Sequence, residues 1–167
     1  MPGVLAALIR VAWCCSTFAT VPILYMLCGL PDAGKTTRAR ELDAAGKGIV
    51  MNADQWIWQL YPDDAEAAAR DERKARVEQV QWELVEQLLA AGISVILDWG
   101  LWTQAERDHY HQRANALGAE VQTIFLEVAL EILHERLALR NQTLPPGTFH
   151  VSPEELDEWA ALFEPPE

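Results

Sequence analysis

The chain has 167 residues, with 13 Lys and Arg against 25 Asp and Glu, giving a formal net charge of −12. Half of the residues are apolar and 23% are charged, which excludes a disordered chain and fits one globular domain with an ordinary core. A sequence pI near 4.7 speaks against tight nucleic-acid binding, which needs clustered Lys and Arg, and favours a neutral or cationic small partner.

Three cysteines, two of them adjacent at Cys14 and Cys15, make no disulfide framework, so a reducing, cytoplasmic setting is expected. No charged residue occurs from Val11 to Pro31, a length that would allow a signal peptide or a membrane span. Pro22 interrupts that run, and the residues after it have to form a buried strand. No membrane role is expected. Residues 1–20 are read as an extension, leaving open an added helix or strand on the domain or a poorly ordered stretch. Residues 21–167 form the domain proper.

Within the domain, apolar runs and helical patterns alternate. Ile23–Cys28 reads as a buried strand ending at a glycine. A helix is expected from Thr36 to about Ala45, stopped by Gly46 and Gly48. Ile49–Ala53 reads as a second strand followed by Asp54, and DQWIWQLY as a short helix ending before Pro62. Ala65–Ala91 reads as a long helix with Val77, Val80, Leu84 and Leu88 on its apolar face, closed by Gly92. Ile93–Leu97 is the third expected strand, Gln104–Leu117 a helix, Val121–Leu126 the fourth strand and Ala129–Arg140 another helix. NQTLPPGTFH is a loop, which with Arg136 and Arg140 suggests a lid near 136–150. Ser152, Pro153 and Glu155 carry a capping box for a last helix over 152–163. Alternating strands and helices predict a three-layer α/β fold with a mostly parallel sheet covered on both faces.

One motif dominates the chemistry. Gly29-Leu-Pro-Asp-Ala-Gly34-Lys35-Thr36 satisfies GxxxxGK[ST] between an apolar strand and a helix. Such a loop aims backbone N–H groups and a helix N-terminus at phosphate oxygens. Lys35 then faces the β- and γ-phosphates, and the Thr36 hydroxyl faces Mg²⁺. The expected nucleotide set is Gly29, Asp32, Ala33, Gly34, Lys35, Thr36 and Thr37, with ATP or GTP as the nucleotide. Asp54 and Asp98 follow the second and third expected strands, where ligands of open parallel sheets gather. Asp54 suits a base toward an acceptor hydroxyl and Asp98 a Mg²⁺ partner of Thr36, against the plainer readings of helix cap and turn residue. Arg136 and Arg140 lie one helical turn apart, suited either to developing phosphate charge or to exposed pairs with Glu131 and Glu135. Arg107 reads as structural, Arg38 as exposed or functional, and the four histidines show no zinc spacing.

The sequence has seven tryptophans, of which Trp56, Trp58, Trp99 and Trp102 follow expected strand ends. They serve either core packing or a platform for a ring, with Asp63, Asp64 and the acidic 154–158 run as possible ammonium holders or solvated surface. The expected acceptor set is Asp54, Trp56, Asp98, Trp99 and Trp102.

GLPDAGKTT, the NAD at Asn52–Asp54, VILDWG at Val95–Gly100, AER at Ala105–Arg107 and ERLALRN at Glu135–Asn141 together resemble small P-loop kinases. These include AAA-type ATP-binding, polynucleotide-kinase-like and zeta-toxin-like proteins and the chloramphenicol phosphotransferase type. The resemblance covers about residues 21–163. It implies a kinase-like strand order, Asp54 as the base, and Arg136 or Arg140 as lid residues on the phosphates. Asp32 departs from the pattern, because a carboxylate in the loop repels a polyphosphate unless it faces outward or meets a cation. The leading expectation is an O-phosphotransferase for a cationic, hydroxyl-rich small molecule, with an aminoglycoside antibiotic as the specific example. A polynucleotide or nucleotide-sugar kinase and a non-catalytic nucleotide-binding module are the alternatives.

Overall fold

A computed structural model describes residues 21–61, 67–145 and 148–166. The expectations for residues 1–20 and for Asp63 and Asp64 lie outside these described residues. The elements run β1 Ile23–Cys28, α1 Lys35–Ala44, β2 Ile49–Met51, α2 Ala53–Leu60, α3 Ala67–Ala90 and β3 Val95–Gly100. They continue with α4 Gln104–Ala116, β4 Glu120–Phe125, α5 Leu130–Thr143 and α6 Pro153–Leu162.

The four strands form one sheet in the order β2-β3-β1-β4, every neighbouring pair parallel. β1 sits between β3 and β4 and pairs along its whole length, Ile23 with Glu120 through Cys28 with Phe125. Its side chains alternate between two cores, as a strand's pleat requires. Leu24 and Met26 join Val95, Leu97 and Trp99 of β3 and Trp82, Val85 and Leu89 of α3 on one face. Tyr25 and Leu27 join Ile96 and the α1 residues Ala39 and Leu42 on the other. A third cluster, Ala33, Leu133, Leu137, Val151 and Leu156, fastens α5 and α6 to the phosphate loop. The expected three-layer parallel fold is the one observed.

Several bounds differ from the sequence reading: β2 ends at Met51 and Ala53 already opens α2, α5 runs on to Thr143 into the expected loop, and β3 and α3 differ most. The third strand begins two residues later and ends three residues later, because Ile93 is spent in the turn that closes α3, donating to Leu88 O. Asp98 and Trp99 therefore lie inside β3 rather than after it. The apolar face of α3 is also rotated. Val77 faces in, but Val80 is 55% and Leu84 37% exposed, and Gln81, Trp82, Val85 and Leu89 take the inward positions. The expected capping box of the last helix is present, with Ser152 accepting from Glu155 N and Glu155 accepting from Ser152 N.

Candidate active site at the carboxyl edge of the sheet

The chain leaves β1 through a loop whose shape only small residues permit. Gly29 takes φ 149°, and a Cβ there would stand 3.0 Å from Leu126 O and 3.3 Å from the Ala33 Cβ. Gly34 takes φ 99° and caps α1. Asp32 is left-handed at φ 60°, a conformation that Asp tolerates better than most residues. Lys35 opens α1, and its Nζ donates to Gly29 O at 2.9 Å and Leu30 O at 2.7 Å. Burial lowers its pKa to about 8, against the opposing pull of Asp98, Asp54 and Asp32. Ala33 is buried, whereas Thr36 and Thr37 are exposed on the first turn of α1.

Asp98 anchors a relay behind this loop. It is 6% exposed, on the same face of β3 as Ile96, and its Oδ2 accepts from Thr36 Oγ1 at 2.8 Å and from Asn52 Nδ2 at 2.6 Å. Asn52 also caps α2 by accepting from Gln55 N at 2.7 Å. Its carbonyl takes a bond from Gln81 Nε2 at 3.1 Å, and Gln81 Oε1 takes the Trp99 indole N–H at 2.8 Å. Asp98 is thus neither a turn residue nor a cap, and the α2 cap is Asn52 rather than Asp54. Asp54 stands half-buried in the first turn of α2, where its charge acts on both Lys35 and Glu78.

The aromatic residues divide. Trp56 packs half-buried against the first core, and Trp58 is 47% exposed. Trp99 lies among Trp82 and Tyr110, with ring centroids 6.4 and 5.3 Å away. Trp102 packs against Trp159 with the rings tilted by 46° and their centroids 5.4 Å apart. Trp99 and Trp102 also line a cavity of about 260 Å³ with Leu101, Lys74, Glu78 and Glu106. That cavity adjoins the phosphate loop, since Leu101 O accepts from the Cys28 thiol at 3.3 Å and Gly29 N donates to Gly100 O at 3.3 Å. Lys74 and Glu78 are not singled out in the sequence, where only their i,i+4 spacing on a helix draws attention to them, and Glu106 enters there only as part of AER, with no role assigned.

Arg136 and Arg140 reach the phosphate loop instead of Glu131 or Glu135. Arg136 Nη1 donates to Asp32 O at 3.0 Å, and Arg140 Nη1 to Asp32 Oδ1 at 3.0 Å. Asp32 thereby meets a cation. Arg107 is structural as expected, 3% exposed and donating to Leu101 O and Trp102 O. Arg38 pairs with Glu41 on the surface. The 154–158 run stays at the surface as well, with Glu155 in the capping box and Asp157 on His134 at 2.8 Å.

Among the described residues, no three His, Cys, Asp or Glu side chains gather into a metal cage. Mg²⁺ in nucleotide sites does not need one, because it is held by one or two protein oxygens with phosphates and water. Thr36 Oγ1 and Asp98 Oδ2, at 2.8 Å from each other, are the oxygen pair that suits it.

Comparison with known proteins agrees with this geometry. Among solved structures, the chain is similar to the Pnkp1/Rnl/Hen1 RNA repair complex, at 20% identity and TM-score 0.66 over 85% of this chain and 44% of that one. It is similar to Chaetomium thermophilum Kti12 in complex with ADP-AlF3, at 19% identity and TM-score 0.60 over 86% and 81%. It is also similar to a sugar kinase from Janibacter sp. HTCC2649, at 17% identity and TM-score 0.60 over 89% and 80%. The chain spans less than half the length of the RNA repair chains it matches. No curated protein matches the sequence. A family model described as AAA domain matches residues 24–166. With its phosphate loop set between β1 and α1 of a parallel sheet, the chain belongs to this AAA-domain family of P-loop, kinase-like proteins.

Proposed function

We propose that this protein transfers the γ-phosphoryl group of ATP or GTP to a hydroxyl of a small molecule. The supporting observation is the Thr36–Asp98 hydrogen bond at 2.8 Å behind a phosphate loop closed by Lys35, with the charge of Asp54 acting on that lysine. In this reading the loop amides and Lys35 grip the triphosphate, and Thr36 and Asp98 would hold Mg²⁺, which would supply neutralising charge at the phosphate oxygens. Asp54 accepts the hydroxyl proton as the acceptor oxygen bonds to the γ-phosphorus, and the nucleoside diphosphate departs with the electrons of the broken P–O bond. Arg136 and Arg140 stand at the loop's rim and stabilise the charge that develops.

The acids around the cavity favour a neutral or cationic acceptor. The size of the cavity suits one ring, so an aminoglycoside would place a single ring there. The test is to incubate the protein with MgATP or MgGTP and a panel of sugars, amino sugars, aminoglycosides and nucleotide-sugars, and to read masses. A product heavier by one phosphate supports the reading. Nucleotide binding with no product across the panel favours a non-catalytic nucleotide-binding module.

A second reading, polynucleotide 5′-hydroxyl phosphorylation, is favoured by the likeness to an RNA repair structure. The net charge of −12 opposes it. Labelled phosphate on a 5′-hydroxyl oligonucleotide, weakening with salt, would establish it over the first.

A further inference from the structure

The cavity beside the phosphate loop is lined by two indoles, Trp99 and Trp102, two acids, Glu78 and Glu106, and one lysine, Lys74. At about 260 Å³ it falls below the roughly 300–1,000 Å³ of drug-sized sites and admits one ring. The chain already directs a cation into this space. Lys74 Nζ stands over the Trp102 ring, 6.0 Å from its centroid, and 3.7 Å from Glu78 Oε1. Both distances are long. A charge-assisted N–H···O bond closes to about 2.7–2.9 Å, so Lys74 satisfies Glu78 only loosely. Glu106 is committed through one oxygen, Oε2, to the Trp102 backbone N–H at 2.9 Å.

Of the charged side chains lining the cavity two are acids and one is a base, Arg107 lies behind the wall on the Leu101 and Trp102 carbonyls, and Asp54 adds a third carboxylate acting on Glu78. Burial, opposed by Lys74 and reinforced by Glu106 and Asp54, raises Glu78 to about 7. An arriving cation relieves that cost, whereas an arriving carboxylate or phosphate increases it.

We propose that this cavity is an ammonium-binding acceptor subsite, in which Glu78 and Glu106 hold the amine of a single amino-alcohol ring against the face of Trp102. The assignment rests on the phosphotransfer reading and specifies its acceptor class. Glu78 is the specificity residue. Lys74 is an internal competitor whose place the ligand's amine takes.

Glucosamine, glucose and gluconate serve as cationic, neutral and anionic probes, measured by calorimetry on the MgADP-bound protein and by transfer from MgATP. Glucosamine is expected to bind about tenfold more tightly than glucose, and gluconate more weakly than either. Glu78→Gln should remove most of that preference, and Lys74→Gln should tighten glucosamine severalfold, a gain that misfolding cannot produce. A preference for gluconate that Lys74→Gln abolishes overturns the proposal in favour of an anion site. Equal binding of all three probes, or Lys74→Gln weakening glucosamine, overturns it as well. Phosphorylation of glucose and glucosamine without preference rejects the subsite and leaves phosphotransfer standing. Amine-selective binding without transfer keeps the subsite and rejects phosphotransfer.

Discussion

Arg140 of α5 and Asp32 of the phosphate loop, 108 residues apart in the chain, form an ion pair at 3.0 Å in which the side chains are only 18% and 14% exposed. The pair gives the extra carboxylate in the loop a physical role, since it fastens α5 and places two arginines beside the phosphate site. Removing one partner leaves the other charge desolvated. Arg140→Ala should cost about 1–3 kcal/mol in urea denaturation, and the double variant Asp32→Asn/Arg140→Met less than the sum of its singles. Additive losses would show that the pair is not coupled.

Lys35 should make nucleotide affinity depend on pH. Its ammonium ionises at about 8 in the free protein, and a bound triphosphate favours the charged form. Binding therefore takes up a proton above pH 8. Fluorescence titration between about pH 6.5 and 9.5 should show affinity flat on the acid side and falling by up to about tenfold per unit above 8. Lys35→Arg should flatten the curve. Without nucleotide the sign for stability is opposite to that for affinity. The folded lysine releases its proton near 8 and the unfolded one near 10.5, so stability rises with pH through that window. Lys35→Met should accordingly melt higher than the parent at pH 7, with the gap closing toward pH 10.5.

Glu78 gives a second pH signature. Its folded pKa of about 7 exceeds the ordinary 4.5, so the folded state holds an extra proton between those values. Stability from this group is full below 4.5 and declines as pH rises to 7. Glu78→Gln should raise the melting temperature relative to the parent at pH 8 and change it little at pH 4.5. A lower melting temperature at pH 8 would mean that the Lys74 pair outweighs burial.

Gln81 should be one of the costliest polar positions to change. It is fully buried and bonds both the Trp99 indole and the Asn52 carbonyl. Gln81→Leu should cost about 1–3 kcal/mol on equilibrium unfolding, because the buried Trp99 indole N–H loses its partner and the Asn52 carbonyl keeps only the long bond from Trp56 N. The same change should weaken Mg²⁺-dependent nucleotide binding, since Asn52 orients Asp98.

What was legible in the sequence was local. The phosphate loop shows because glycine, lysine and threonine must stand at fixed offsets, and β1 shows because six apolar residues run unbroken into it. The bounds of β3 were misread because Asp98 looks like a strand terminator, and a buried aspartate is tolerated only through the partners Thr36 and Asn52 that folding brings. The face of α3 was misread because Gln81 points inward, a position that periodicity reserves for apolar residues. The Asp32–Arg140 pair and the meeting of Glu78 with Glu106 were hidden because nothing local links residues so far apart. Asp32 alone gave a usable hint, since its departure from the family pattern called for a cation.

Phosphotransfer here requires Asp54 to take the proton of an acceptor hydroxyl across from a triphosphate gripped by Lys35. The most direct measurement is a parallel one on Asp54→Asn, comparing turnover on the best acceptor of the panel with the affinity for MgATP. Turnover should fall about 10²–10⁴-fold while nucleotide affinity stays within about twofold of the parent. Full turnover in Asp54→Asn would contradict that requirement.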